Sequence, residues 1–379
     1  MNFEKFKESL KYRKYSSIKI FIRYFEYKIK NFAIDLIIKT NIFKPKSKPI
    51  LDLGSFKDNR FINYLLFSLK NDFLFVYKED NNTKKLFKRI GIINFFKHTA
   101  SNSKLKKNII KLYINKKNLE SDEISFDTDY FNGIENGKKK NSIVMPYYMY
   151  PRIYNSFYKK INIQEKPNFK LRVFFSGSIV KDGYENFFWK KNPKKFPNRI
   201  SVIEKILNEF KNEIFLIKNR NDFKSPEISK KKIVLCLHDK MIKKTSYNLS
   251  FKKNLEFLGN SCFNISCPGV VMPLCHHLIE GMKVGSIPIT NCEKMLYPNL
   301  TSDISLHYSN LDQLISQIEN ALVMDEDEIM FMRKKVLKHY RDFLSPESFK
   351  INFFNVLKKK EKRIICNDDH RSIDNFSLI

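Results

Sequence analysis

The sequence predicts a doubly wound α/β fold in two domains, and three observations carry that reading. From residue 170 onward, short apolar runs alternate with stretches of helical spacing. The runs are mostly apolar on both faces, as strands of a parallel sheet covered on two sides must be. A second and shorter set of such runs precedes residue 150.

In the first half, KPILDLG (48–54), DFLFVYK (72–78), IGIINFF (90–96) and NSIVMPYY (141–148) read as strands, and RFINYLLFSLK (60–70) as a helix between the first two. They define a smaller α/β domain over 45–150. The Pro-bearing MPYYMYPRIYN (145–155) and the polar INIQEKPN (161–168) separate the halves, giving an interdomain connection over 151–169.

The second domain, 170–358, contains LRVFFSG (171–177), EIFLIK (213–218), IVLCLHD (233–239), CFNISC (262–267), GSIPIT (285–290) and ISLHY (304–308) as strands. Helical spacing covers 198–210, 248–258 and 273–284, and helices near 310–323, 326–343 and 346–358 finish the domain. The charge run at 358–375 places a fraying tail at 359–379.

Composition excludes several classes. The net charge of +30 invites a polyanion partner, but only 12 of the 70 basic residues are Arg. They are spread through a chain rich in Asn, Ile, Phe and Tyr, without an Arg cluster, zinc-finger spacing or RNA-binding aromatic motif, so nucleic acid is not the expected partner. The six cysteines form no CxxC pair, which suits reduced thiols in a cytoplasmic protein. No run of 18 uncharged apolar residues occurs. Within the N-terminal segment 1–44, residues 16–40 have the pattern of a basic, aromatic amphipathic helix. Such a helix can lie peripherally on an anionic membrane or pack on the domain beside it.

The most patterned stretch is CPGVVMPLCHHLIEGMKVGSIPI (267–289). A strand delivers the chain to Pro268-Gly269, the turn runs through Val270 to Met272, and Pro273 is expected at the first helical position. The helix then starts at the carboxyl edge of the sheet, where its free N–H groups and dipole make an anion site, and Gly285 ends it. On the helical wheel Leu274, Cys275, Leu278, Ile279 and Met282 form an apolar arc opposite Pro273, His276, His277, Glu280 and Val284. His276 and Glu280, one turn apart, fit either a cleft-facing pair or a plain surface pair.

Residues 261–289 resemble the donor-binding segment of GT-B glycosyltransferases, above all the exostosin type, through Ser261 and Phe263, Pro268 and Gly269, Glu280, and Gly285, Ile287 and Pro288. LRVFFSGS, ending at Ser178, resembles the first strand of that family's second domain. The resemblance is good over about 30 residues, loose over 170–350 and only architectural before 145. It implies two Rossmann-like domains facing across a cleft, a nucleotide-sugar donor, a glycan or lipid-linked acceptor and a place in cell-surface polysaccharide or glycoconjugate synthesis.

In such enzymes the helix carboxylate, here Glu280, accepts the ribose hydroxyls. The family's Arg three residues earlier is replaced by His277, so phosphate charge is expected from Arg199, Lys243 or Lys244. The glutamate that retaining members carry eight positions before the ribose carboxylate is Met272 here, which implies inversion. No DxD-like metal pair stands at a strand end, and DTD (127–129) reads as a loop, so neither metal nor cofactor is expected. The base that inversion needs is expected from the first half, with Asp58 foremost among Asp52, Asp58, Asp80 and His98.

ILDLGSF (50–56) resembles the first glycine-rich motif of S-adenosylmethionine methyltransferases but lacks the second glycine. A methyltransferase on 50–150 and a noncatalytic polyanion-binding α/β protein are the rival readings.

Overall fold

The computed structural model describes residues 48–54, 60–77, 95–97, 109–134, 143–156, 158–161, 163, 171–180, 184, 197–219, 221–222, 225–238, 249–360, 362–368 and 371–373. The elements below belong to one compact unit, Pro49–Ile379. The basic segment 16–40 lies outside the described residues, as do Asp58, Asp80, His98, Lys243 and Lys244.

Two parallel sheets form the frame. The first contains β1 (Ile50–Asp52), β2 (Leu74–Tyr77), β3 (Phe95–Lys97), β4 (Ile109–Ile114), β5 (Glu123–Asp127), β6 (Ile143–Val144) and β13 (Arg363–Ile365), in the order β3-β2-β1-β4-β5-β13-β6. The second contains β7 (Leu171–Ser178), β8 (Ile214–Leu216), β9 (Ile233–His238), β10 (Ser261–Ser266), β11 (Ile287–Thr290) and β12 (Leu306–His307), in the order β12-β11-β10-β7-β9-β8. All the strand pairs are parallel. The α/β class and the two-sheet plan are therefore as the sequence predicts.

The helices are α1 (Arg60–Leu69), α2 (Pro151–Ser156), α3 (Arg199–Glu209), α4 (Phe251–Gly259), α5 (His276–Val284), α6 (Leu311–Val323), α7 (Glu326–His339) and α8 (Pro346–Leu357). None of the described helices is long and apolar enough to cross a membrane. Both β10 and β11 are buried along their whole length, which explains why their sequences lack alternation. From β7 the chain first builds the β9 and β8 side, then returns to add β10, so the direction of winding reverses between β7 and β10. The crevice outside the carboxyl ends of those two strands is where open α/β sheets place ligands.

The end of the chain differs from expectation. α6 and α7 cover the second sheet, but α8 crosses to the first: Phe349 packs on Tyr64 at 5.5 Å between ring centres and Phe353 on Phe73 at 5.6 Å. Tyr64 donates its hydroxyl to the Ser345 carbonyl at 2.8 Å, and Lys350 pairs with Asp72 at 2.7 Å. The expected charged tail 359–379 holds β13, which fills the first sheet between β5 and β6. Ile364, Ile365 and Cys366 are buried there, and three apolar residues with a waiting strand edge on each side outweigh the charges before them.

Residues 145–150 differ too. Expected as the end of a strand and the start of a connection, they leave β6 after Val144 and run on without regular secondary structure, mostly buried, against α5.

Candidate functional site

The loop between β10 and α5 is tighter than the sequence suggests. Gly269 donates its N–H to the Pro273 carbonyl at 3.3 Å, and Cys292 Sγ also reaches that carbonyl at 3.3 Å. A Cβ on Gly269 would stand 2.7 Å from the Leu274 carbonyl oxygen, so only glycine fits. Because the chain is still turning at Pro273, α5 starts at His276 with Cys275 as its N-cap, three residues later than expected. Gly285, at φ 84°, ends the helix, and Arg333 donates to the last carbonyl, that of Val284, at 2.8 Å.

Burial on α5 extends beyond the apolar arc. The apolar arc of Leu278, Ile279 and Met282 is buried, but so are His277, Glu280 and Val284 opposite. The helix is enclosed on both sides. His277 is 6% exposed, packed on the rings of Phe174 and Phe175, and neither ring nitrogen has a hydrogen-bond partner. Burial, followed by the Arg199 charge, pushes its imidazole down to about 3. It is therefore neutral at physiological pH and lacks the fixed charge an arginine would bring to a phosphate.

Glu280 is 5% exposed. One carboxylate oxygen accepts the Tyr150 N–H at 3.2 Å and the other accepts from Asn254 Nδ2 at 3.1 Å. Burial pushes its pKa up to about 7, with those two hydrogen bonds pulling the other way. His276 is half-buried and stacks on Tyr147 at 5.5 Å and 9°. Its Nδ1 lies 2.8 Å from the Tyr148 carbonyl. A carbonyl can only accept, so Nδ1 carries the proton. The segment after β6 thus forms one wall of this helix.

Arg199 opens α3, whose N-cap Asn198 accepts from the Ser201 N–H at 3.0 Å. Arg199 is 7% exposed, and its guanidinium reaches the carboxyl end of β7. Nη1 donates to the Ser178 carbonyl at 3.1 Å, Nη2 reaches Cys275 Sγ at 3.2 Å, and Nε has no hydrogen-bond partner. Phe175 and Tyr184 lie under the charge, at 5.8 and 5.7 Å from their ring centres. None of the described carboxylates forms an ion pair with it. His238, at the end of β9, is held below its ordinary pKa by burial and then by the Arg199 charge. A buried cation without an anionic partner is costly, and an anion entering here would relieve the cost.

Arg199 joins Ser178 to Cys275 at the switch point, and Pro268 accepts from Tyr184 at 3.2 Å, whereas His276 and Glu280 contact the segment after β6. Val270 is half-buried in the loop, and Met272, 2% exposed, belongs to the core. DTD (127–129), expected in a loop away from any strand end, stands at the carboxyl end of β5, yet among the described residues no three His, Cys, Asp or Glu side chains converge as a metal site. Sequence reasoning missed Tyr150, Asn254, Tyr184 and Cys275. Cys275 alone carried a signal, as the residue before the paired histidines.

No family model matches the chain, and neither does any curated protein. Among solved structures, a glycosyltransferase from Rickettsia africae ESF-5 superposes with a TM-score of 0.45 at 10% identity, over 83% of this chain and 98% of that one. The N-terminal domain of Candida albicans trehalose-6-phosphate phosphatase gives 0.38 at 9% identity, with the same coverage of 83% and 98%. Likenesses this distant carry no argument about the reaction, which rests on the site.

Proposed function

We propose that this chain is a glycosyltransferase that moves a sugar from a nucleotide-sugar to a glycan or lipid-linked acceptor. One observation carries the reading: a buried Arg199 without a carboxylate partner among the described residues, at the crevice beside the N-terminus of α5. A nucleotide diphosphate supplies the missing charge. Its oxygens match the planar guanidinium fork, and the first amides of α5 add their dipole.

The leaving diphosphate gains negative charge as the sugar departs, so the same groups stabilise the transition state more than the bound donor. In this reading they carry that charge without a metal ion. Glu280 holds Tyr150 and Asn254 in place and so positions the wall of the site. The reaction inverts the anomeric centre, with the family's second glutamate replaced by the core residue Met272. Asp58 is the proposed base, after β1 in the acceptor-side domain. The basic segment 16–40 supports peripheral contact with an anionic membrane during synthesis of a surface glycan.

Titration calorimetry with UDP, GDP, CDP and S-adenosylmethionine tests this reading. A nucleoside diphosphate is expected to bind. Binding of S-adenosylmethionine alone would transfer the assignment to the methyltransferase reading, and binding of none would leave the polyanion-binding one.

A further inference from the structure

The chain has six cysteines, none of them in a disulfide, and five are buried. The sixth, Cys275, is half-buried and lies inside the site just described. Its sulfur is 3.2 Å from Arg199 Nη2, and as N-cap of the nine-residue α5 it sits at the positive end of the helix. It makes no side-chain cap hydrogen bond to the helix, so the sulfur is not already committed there. Arg199 is the independent second feature. It is more than nine-tenths buried, its Nε has no hydrogen-bond partner, and its two other hydrogen bonds go to a neutral carbonyl and this thiol. A guanidinium at this distance offers a partner for the negative charge shared among the sulfurs as a disulfide is cleaved. The other five thiols are buried: burial pushes Cys236 and Cys267 up to about 12 and raises Cys262, Cys292 and Cys366, although Arg172 lies 3.8 Å from Cys262 Sγ and the Arg199 charge acts on Cys267.

We propose that Cys275 is a modification site, the thiol through which a low-molecular-weight disulfide such as oxidised glutathione closes the Arg199 crevice. The Cys275 thiolate attacks one sulfur of the disulfide. A new S–S bond forms to Cys275 and the old one breaks. The departing half leaves as a thiolate and takes up the proton that Cys275 released, so the disulfide is the sole oxidant. The adduct stands where the proposed diphosphate binds, and this consequence rests on the glycosyltransferase reading.

The test is to expose the folded protein to oxidised glutathione at pH 6.5 and map the products by peptide mass spectrometry. The mixed disulfide is expected on Cys275 before any other cysteine, to be reversed by dithiothreitol, and to form about tenfold faster than on an unfolded peptide spanning residues 270–280. Arg199→Gln is expected to remove most of that acceleration. Arg199→Lys, which keeps a charge in the same place, covers the case in which the glutamine variant does not fold, and is expected to retain part of the acceleration. Modification spread over several cysteines, or a Cys275 rate equal to that of the peptide, overturns the proposal. UDP and GDP affinity measured on the modified protein separates the two readings. Selective modification that leaves their binding unchanged keeps the thiol assignment and overturns the placing of the diphosphate.

Discussion

Glu280 accepts the backbone N–H of Tyr150 at 3.2 Å, a contact spanning 130 residues of sequence that ties the segment after β6 to the helix beside the anion crevice. The pH dependence of this clasp follows from the Glu280 pKa of about 7, raised by burial from an ordinary 4.5. A folded-state pKa above the unfolded one means the stability it brings is complete below about 4.5 and is lost as pH rises through about 7. The loss amounts to about 3 kcal/mol once the carboxylate is fully charged.

Glu280→Gln is expected to abolish that loss. A glutamine keeps an acceptor for the Tyr150 N–H, and Asn254, whose Oδ1 has no hydrogen-bond partner, can turn its amide to accept from the new Nε2. Thermal melts of both proteins at pH 5 and pH 8 provide the check. Equal pH dependence in the two would mean that Glu280 is not the group titrating.

His277 gives the opposite slope. Its folded pKa of about 3 lies below the ordinary 6.5, so its contribution is present above 6.5 and lost as pH falls toward 3. His277→Leu places an apolar side chain against Phe174 and Phe175 and is expected to gain a few kcal/mol of stability by pH 4. The variant should also leave the dependence of nucleotide affinity on pH between 6 and 8 as it is in the wild type. A change in that dependence would return the diphosphate to His277.

Much of this architecture was legible in the sequence. β7, β9, β10 and β11 are continuous apolar runs because both faces are covered, and the helices between them keep a clear helical period. In the first sheet, β4 and β5 were missed. β4 is half-exposed and interrupted by Lys111, and β5 begins with the buried Glu123, which pairs with Lys116 at 2.5 Å. No local pattern could show that β13 completes the first sheet, since its partners lie more than 200 residues earlier. In the site, Arg199 was found at a helix start and Glu280 through the resemblance of its helix to a donor-binding segment. Their partners Cys275 and Tyr150 are 76 and 130 residues away, and only the fold brings them near. The burial of His277 was missed because α5 is enclosed on both faces, so its polar face is buried along with its apolar arc.

Gly285 tests the exit from α5. Its φ of 84° is strained for any side chain, and a Cβ there would stand 2.8 Å from Arg333 Cζ. Arg333 is 1% exposed and donates to the Val284 carbonyl, so it cannot swing clear without giving up that bond. Gly285→Ala is expected to cost about 1–3 kcal/mol, measured by urea unfolding. A cost near zero would show that α7 yields at this contact.

Arg199 separates function from stability most sharply. A structural arginine contributes to stability, whereas one held in readiness for an anion costs stability until the anion arrives. Arg199→Met keeps an unbranched chain of similar reach over Phe175 and Tyr184 and removes the buried charge. Without nucleotide, its melting temperature is expected to equal or exceed that of the wild type. Its affinity for the nucleoside diphosphate that the wild type binds is expected to fall by about 1.5–3 kcal/mol, the scale of a charge-assisted hydrogen bond. Nucleotide at 100 times the wild-type Kd should stabilise the wild type by about 2.7 kcal/mol and the variant far less. A variant that melts well below the wild type and binds nucleotide equally would make Arg199 a strut between Ser178 and Cys275, and the diphosphate would have to be held elsewhere.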